Sequence, residues 1–421
     1  MMTVKEQYRL HDEILKDRLE NLMPALLAEC GVEMWVVLSK EYNEDPVFRT
    51  LVPALVKNAS RVTCLVFCRN KDGSYEALNV SRPNPRFDGY YKQAMNRKDD
   101  VFEALNHLIA KKKPAKVHVD VSNECALADG LSKNLYDRLQ TALCGSVPLV
   151  SAEEIVIRWI ETRTAREMEL YPMIYKLSMD VVDEVFSADF IKPGVTTTTD
   201  VEWGIMQRIN DYGLPFWFAP DIDLQRKGGD DFRMSGVVIE EGDIVSLDAG
   251  VIYKGYQSDA ARTHGVGEIS DDAKLLIERT RQSFFEGIKF ATAGNHLHQI
   301  SAAIGDYAGS FGYGVVRDLC GHGIGKHMHE DPEIPNFRQF RRGIKLRPGM
   351  TLAIEPMVDL GSAEVVWMDD DWTVVTEDWS LSAHYENTIL ITDGEPEIFT
   401  LTESEIATGR WNQYLGRQTE A

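Results

Sequence analysis

The stretch Gly242-Asp-Ile-Val-Ser-Leu-Asp-Ala-Gly-Val-Ile-Tyr-Lys-Gly-Tyr-Gln-Ser-Asp259 decides the interpretation of this sequence. Its two apolar halves flank Tyr253-Lys254-Gly255, which predicts a β-hairpin. Asp248 and Asp259 lie symmetrically about the centre of that turn, so hairpin pairing would make them cross-strand neighbours. Bare carboxylates facing each other on apolar strands would repel, and a cation between them is the usual remedy. The alternative is that one aspartate caps the turn while the other faces solvent.

A glycine-rich segment farther along the chain, Leu319-Cys-Gly-His-Gly-Ile-Gly-Lys-His-Met-His329, places His322 between two glycines. Small neighbours let the backbone approach closely, so this imidazole can reach an ion that bulkier flanks would exclude. The segment does not contain the HExxH spacing of a thermolysin-like zinc helix. A glycine-rich turn with an incidental histidine is the alternative.

Two glutamates, Glu355 and Glu386, lie inside apolar strand patterns in Leu352-Ala-Ile-Glu-Pro-Met-Val and Ser382-Ala-His-Tyr-Glu-Asn-Thr-Ile-Leu-Ile. An uncompensated charge inside such a strand is expensive. An edge strand with one face in water would accommodate either glutamate alone. Four carboxylates and one imidazole in strand-like contexts together indicate a site for divalent cations.

The composition limits the kinds of partner. The 421 residues include 45 Lys and Arg against 66 Asp and Glu, a formal charge of -21. Such a surface repels phosphate backbones and anionic lipid headgroups, so we expect neither nucleic acid nor membranes as partners. The six cysteines form no CxxC pair and no long apolar run is present, which favours a soluble protein in a reducing, cytoplasmic compartment.

The chain divides by pattern into three parts. Strand-like runs such as Met34 to Leu38 alternate with helical stretches, which predicts an α/β domain over residues 1–150. Residues 151–166, with clustered Glu and Arg, predict an exposed linker helix. In residues 167–421, two helices followed by strands occur twice, which predicts a duplicated α+β unit.

Four successive blocks carry a family resemblance: DIVSLDAG with SDAART, GHGIG with HEDPEIPN, LAIEPMV, and DWTVVTEDWSLSAHYENTIL. In order and spacing they closely resemble the active-site blocks of the pita-bread metalloaminopeptidase family, which includes methionine aminopeptidase, Xaa-Pro aminopeptidase and prolidase. The resemblance covers about Glu167 to Thr400 and implies an α+β pita-bread catalytic domain with an internal pseudo-twofold duplication. The N-terminal portion, with GVEMWVVLSKEYNEDPV, resembles the creatinase-type α/β domain of the Xaa-Pro enzymes.

The resemblance implies a role for each residue of the set. Asp259 and Glu386 would bridge two divalent ions, Asp248 would bind one of them, and His322 with Glu355 would bind the other. An oxygen-rich set with one imidazole suits Mn, Co, Fe or Zn. Glu355 would also carry the proton from the attacking water to the leaving amine.

Further positions bear on the substrate. His329 matches the family's non-ligand histidine, which implies that it hydrogen-bonds the substrate carbonyl. The segment Lys227-Gly-Gly-Asp-Asp-Phe departs from the family, because Asp230 or Asp231 stands where a substrate-facing histidine belongs. His384 stands where Xaa-Pro enzymes commonly carry arginine, and we predict that it also contacts substrate. These departures concern substrate preference and leave the metal set unchanged.

The two-domain layout favours an Xaa-Pro aminopeptidase or dipeptidase that acts on peptide substrates. The alternative is a methionine-type aminopeptidase, which the C-terminal blocks resemble more closely. A different class, a non-peptidase pita-bread hydrolase or binding scaffold, would typically lack some of the ligands that are all present here. The resemblance also implies a homodimer.

Overall fold

The structure, a computed structural model, describes residues 3–226, 236–369 and 373–409. The chain forms two compact units, Met1–Glu167 and Met168–Ala421. Among the described residues, no helix combines the length and apolar character needed to cross a bilayer.

The first unit is built on a six-stranded mixed sheet with helices on both faces. Alternate residues of its central strand Met34–Lys40 point to opposite sides, so Trp35 packs in one core cluster and Val36 in the other. This three-layer arrangement confirms the predicted α/β domain. In spatial order the strands are Lys92–Gln93, Tyr75–Asn79, Val62–Arg69, Met34–Lys40, Val117–Val119 and Leu149–Ser151, and the main helices are Val4–Asp17, Met23–Glu29, Val101–Lys112, Lys133–Leu143 and Glu153–Glu161.

The helix Glu153–Glu161 differs from the expected exposed linker. Ile155, Val156 and Trp159 are buried in a core cluster of the first unit, and Trp159 Nε1 donates a hydrogen bond to Thr50 Oγ1 at 2.8 Å. Glu153, Glu154 and Arg158 lie on the more exposed side of the helix, whereas Glu161 is itself buried. These charged residues hide the apolar stripe in the sequence. The first unit therefore extends past the linker that was predicted at 151–166.

The second unit repeats one arrangement, a pair of helices followed by antiparallel strands. The first copy contains the helices Tyr171–Val185 and Thr198–Asp211, and the second contains Asp271–Ile288 and Leu297–Gly309. This agrees with the predicted α+β fold with an internal duplication. The sheets, in spatial order, are Ala260–Gly265, Ile244–Ala249 and Asp221–Gln225; Gly314–Val315, Met357–Asp359 and Ser382–His384; Glu330–Ile334, Gly321–Gly323, Thr351–Ile354, Asn387–Leu390 and Glu397–Ile398; and two pairs, Ile252–Tyr253 with Tyr256–Gln257 and Val365–Trp367 with Val374–Thr376.

The predicted hairpin is present, but its register is shifted by two residues. Its turn is Lys254-Gly255, with φ of 55° and 83°, so Tyr253 pairs with Tyr256 and Asp248 pairs with Ala261 rather than Asp259. Two successive positive φ angles are typical of a tight two-residue hairpin turn. Because side chains alternate with a period of two, Asp248 and Asp259 still point to the same side of the hairpin.

Candidate metal centre

Hydrogen bonds between the two halves of the second unit bring the hairpin next to the last strand of the predicted site. Glu386 N donates to Ala261 O at 3.0 Å, and Thr388 Oγ1 donates to Asp259 O at 3.1 Å. Asp259 and Glu386 are both buried. Residues that are more than a hundred positions apart in the chain therefore present their carboxylates to one point.

A glycine in the hairpin permits the bend that aims Asp259. A Cβ atom on Gly250 would lie 2.0 Å from Ser258 O, so no other residue fits there without movement. Ser258 N donates to Val251 O at 3.0 Å, and Val251 N donates to Ser258 Oγ at 3.0 Å. These contacts hold the backbone immediately before Asp259.

His322 lies on the short strand Gly321–Gly323 between two neighbouring strands. A Cβ on Gly321 would lie 2.4 Å from Ala353 O, and one on Gly323 would lie 2.2 Å from Asp331 O. The flanking glycines thus allow the close backbone approach that the sequence predicted. His322 Nδ1 contacts Gly323 O at 2.9 Å, which leaves Nε2 facing the carboxylates.

The predicted ligands surround one cavity. Ligand atoms of Asp259, His322 and Glu386 all lie within 4.8 Å of one another, and His322 Nε2 lies 3.8 Å from Glu355 Oε1. Asn336 Nδ2 donates to Glu355 O at 3.0 Å and fixes the backbone there. All seven site residues predicted from sequence line this cavity of about 390 Å³: Asp248, Asp259, His322, His329, Glu355, His384 and Glu386.

Burial and mutual repulsion disfavour ionised carboxylates in this cluster. Burial raises the pKa of Asp248 and of Glu386 well above their usual values, and the charge of Asp259 raises both further. Burial alone would lower the pKa of His322, but the Asp259 carboxylate, 3.6 Å from Nε2, and the charge of Glu355 outweigh that effect and raise the pKa to about 9. The cluster thus favours the uptake of positive charge, which protons or cations can supply.

The donor set fits a divalent cation. Asp248 Oδ1, Asp259 Oδ1 and Glu386 Oε1 are buried and have no hydrogen-bond partner among the described residues. Buried oxygens without donors are costly, and bound cations commonly satisfy them. Carboxylate oxygens with one imidazole nitrogen are ligands that Mn, Co, Fe and Zn accept.

Arg262 supports the backbone of Glu386 from outside the cavity. Its buried guanidinium donates to Glu386 O, to Asn387 Oδ1 at 2.9 Å and to Glu405 Oε2 at 3.0 Å. Tyr385 OH donates to the other oxygen of Glu405 at 2.9 Å. A buried ion pair therefore holds the segment that carries one predicted bridging ligand.

The two other predicted histidines lie beside the cluster. The His329 ring makes edge contacts with His322 and with Trp217, at centroid distances of 4.6 and 5.2 Å, and burial together with His322 lowers its pKa. His384 Nε2 lies 3.5 Å from Glu355 Oε2 and has no hydrogen-bond partner among the described residues. Asp230 and Asp231, which replace the expected substrate-facing histidine, lie outside the described residues.

Three acidic residues of the cavity wall, Asp221, Asp223 and Asp359, were missed by the sequence interpretation. The polar and apolar alternation of Asp-Ile-Asp-Leu-Gln at residues 221–225 is the signal of a strand with one polar face. Asp359 belongs to the strand Met357–Asp359 that follows Glu355. No feature of the sequence points that carboxylate into the cavity.

Known proteins similar to this chain fall into two groups. A curated methionine aminopeptidase of Clostridium perfringens is 56% identical over 226 residues, which are 50% of this chain and 87% of that protein. The crystal structure of a methionine aminopeptidase from Thermotoga maritima matches with 38% identity and a TM-score of 0.52, over 57% of this chain and 99% of that one. Among other curated methionine aminopeptidases, the chain matches 66% of the length of the one from Clostridium acetobutylicum and 96% of the length of the one from Escherichia coli.

A longer structural match includes the N-terminal unit. An Xaa-Pro dipeptidase from Bacillus anthracis matches 95% of this chain and 98% of its own, with a TM-score of 0.65 and 19% identity. At that identity the match shows the fold alone. The family model described as metallopeptidase family M24 matches residues 174–393, which contain every predicted ligand. This chain belongs to metallopeptidase family M24.

Proposed function

We propose that this protein is a divalent-metal aminopeptidase of the methionine type, which releases the N-terminal residue of a peptide. The observation that carries the proposal is the convergence of Asp248, Asp259, His322, Glu355 and Glu386 on one cavity. The identity of 56% to a methionine aminopeptidase over the catalytic region supports this specificity over the Xaa-Pro type that the domain layout favoured.

The ligand set would hold two ions. Asp259 and Glu386 would bridge them, Asp248 would bind one, and His322 with Glu355 the other, so four carboxylates would balance four positive charges. When bound, such ions lower the pKa of water toward neutrality and polarise a carbonyl group. Arg262 fixes the backbone of Glu386 through the Glu386 carbonyl oxygen, which preserves the spacing of the set.

Proton transfer is assigned to Glu355. Its Oε1 faces His322 and its Oε2 faces His384, at 3.8 and 3.5 Å, so the carboxylate lies at the edge of the cluster and opens toward the cavity. A carboxylate there can accept a proton from the attacking water and return it to the leaving amine.

His329 is assigned to the substrate carbonyl. Its lowered pKa keeps the ring neutral at pH 7, so one ring nitrogen carries a proton that it can donate. The edge contact with Trp217 restricts the ring orientation. A hydrogen bond from this position would strengthen as charge develops on the carbonyl oxygen.

Apolar residues of the wall would receive the methionine side chain. Trp217, Phe218, Val365 and Trp367 line the same cavity as the predicted ligands. Aromatic rings and a flexible thioether pack favourably.

The Xaa-Pro alternative rests on the two-unit architecture, which resembles the Xaa-Pro dipeptidase in fold.

The test is peptide hydrolysis by the full-length protein after chelation and reloading with Mn, Co or Zn. Met-Ala-Ser should be cleaved after Met, and Phe-Pro-Ala should be a poor substrate. Glu386→Gln is the control for contaminating peptidases. Preferential cleavage of Phe-Pro-Ala would instead support the Xaa-Pro type, and no cleavage with any of these metals would contradict the proposal.

A further inference from the structure

The cavity contains more acidic groups than the proposed metal centre balances. Seven carboxylates line it: the four of the ligand set, and Asp221, Asp223 and Asp359. Two divalent ions would neutralise the four ligands and leave Asp223 and Asp359 without a counter-charge from the metal centre. The described residues of the cavity wall include no lysine or arginine that could pair with these two acids. Uncompensated negative charge in an enclosed site attracts cationic ligands.

Asp359 is the most unusual of the three. Its side chain is 0% exposed, and neither carboxylate oxygen has a hydrogen-bond partner among the described residues. Burial raises its pKa to about 7, against a smaller lowering by the nearby Ser382 hydroxyl. That hydroxyl donates its own hydrogen bond to Val358 O at 3.5 Å. The residue lines the cavity, and its two buried oxygens are acceptors without a donor.

Asp223 lies on the same part of the wall. It shares the cavity-facing side of the strand Asp221–Gln225 with Gln225. The Gln225 amide exchanges two hydrogen bonds with the backbone of Ser382, at 2.7 and 3.0 Å, and Ser382 pairs with Asp359 in the neighbouring sheet. Burial, and next the charge of Asp221, raise the pKa of Asp223 to about 7. The two strands are thus tied together where both acids face the cavity.

We propose that Asp223 and Asp359 form an acidic subsite that receives the positively charged side chain of a Lys or Arg residue close to the N terminus of the peptide substrate. The inference rests on the proposed aminopeptidase function and specifies its substrate class. A lysine ammonium brings three donors and an arginine guanidinium five, which match bare carboxylate oxygens. The aliphatic stem of either side chain packs on the apolar wall, which includes Val374 and Val375.

The test is a substrate panel for the metal-loaded, full-length protein. Peptides based on Met-Ala-Ala-Ala carry Lys, norleucine or Glu at position 1, 2, 3 or 4 in turn. At one position kcat/KM should be about tenfold or more higher for Lys than for norleucine, and lowest for Glu, because norleucine keeps the stem without the charge.

Substitutions of Asp223 and Asp359 test whether these two residues cause the preference for Lys. Asp359→Asn and Asp223→Asn should each reduce the Lys-to-norleucine ratio severalfold, while cleavage of Met-Ala-Ala-Ala stays within about twofold. Glu364→Gln removes an exposed carboxylate outside the cavity and should leave the ratio unchanged. Thermal melting checks that each variant folds, and Asp223→Asn provides the test if Asp359→Asn does not.

The outcomes separate the two proposals. Hydrolysis of Met-Ala-Ala-Ala without any preference for Lys would overturn the acidic subsite and leave the aminopeptidase function standing. No hydrolysis of any peptide would overturn the function itself. Equilibrium dialysis with Mn tests a competing occupant, since a third bound ion that disappears in Asp359→Asn would show that the two acids bind metal instead.

Discussion

Both units of this protein bury acidic side chains, but they compensate them differently. In the first unit, Asp45 and Asp120 are 1% and 0% exposed. Trp35 Nε1 donates to Asp120 Oδ1 at 2.6 Å, and Val47 N donates to Asp45 Oδ1 at 3.0 Å. Each carboxyl group keeps one oxygen without a partner among the described residues. Burial raises the pKa of both acids, and one proton shared between the two oxygens would satisfy both.

The second unit cannot use the same solution. Four carboxylates and His322 meet there, and buried oxygens of three of these acids have no donor among the described residues. One shared proton cannot neutralise so many acids, whereas two divalent ions can. The number of acids and their access to a cavity, rather than burial alone, therefore distinguish a ligand-binding cluster from a structural pair.

Loss of a bridging ligand should give the largest effect. Asp259→Asn and Glu386→Gln are expected to lower kcat by on the order of 10³-fold or more, because each removes a ligand of both proposed ions. Titration calorimetry with Mn or Co should show weakened binding. The matched variant of the first unit, Asp120→Asn, should bind metal normally and hydrolyse peptides at the normal rate. Near-normal activity in either ligand variant would refute the assignment.

Glu405 represents a third solution, in which a partly buried acid is neutralised by the buried Arg262. Burial raises its pKa, but Arg262 and hydrogen bonds outweigh this and lower it to about 2. A pKa that is lower in the folded state than in the unfolded state stabilises the protein above pH 4.5. This stabilisation is lost as the pH falls toward 2. Glu405→Gln should cost about 3 kcal/mol in unfolding free energy at pH 7, since Arg262 loses its counter-charge.

The effect of Glu405→Gln should shrink at low pH. Urea unfolding at pH 7 and at pH 3 measures it, and a metal-free sample avoids coupling to ion binding. A cost that does not change between the two pH values would show that the lost contacts are not electrostatic.

His329, which we propose contacts the substrate, tests the second unit without a change in its number of carboxylates. His329→Ala should leave both ions bound and lower kcat by on the order of 10²-fold, because its hydrogen bond is made mainly in the transition state. Calorimetry of Mn binding and steady-state kinetics check the two halves of this statement. An unchanged kcat would remove His329 from the mechanism.

The sequence predicted which residues line the cavity better than it predicted how they pair. Asp248 and Asp259 were expected to face each other, and the structure pairs Asp248 with Ala261. The alternation of side chains along a strand determines which face each one occupies, and the two-residue shift of the register leaves those faces unchanged. The register depends on which two residues form the turn, and Lys254-Gly255 adopts a tighter turn than the three-residue one that was assumed.

Contacts between segments that are distant in the chain could not be predicted from the sequence. The exposed linker expected at 151–166 contains Trp159, which is buried in the first unit, because clustered charges concealed the apolar stripe. Asp359 reads as an ordinary strand residue, and only the pairing of its strand with Ser382–His384 places it at the cavity. The acids of the predicted ligand set were identified because several acids in apolar strands conflict with burial, whereas a single acid gives a weaker signal.

The smallest effect should come from the proton-sharing pair of the first unit, and its sign distinguishes it from Glu405. Burial raises the pKa of both Asp45 and Asp120, so the folded state binds more protons than the unfolded state and stability falls as the pH rises above about 4. Asp120→Asn keeps an oxygen to accept from Trp35 and supplies the missing donor without a titratable proton. It should stabilise the first unit by about 1–2 kcal/mol at pH 8 and by less at pH 4, as measured by urea unfolding. Destabilisation at pH 8 would mean that the pair is held by a bound cation, and the two units would then compensate their acids in the same way.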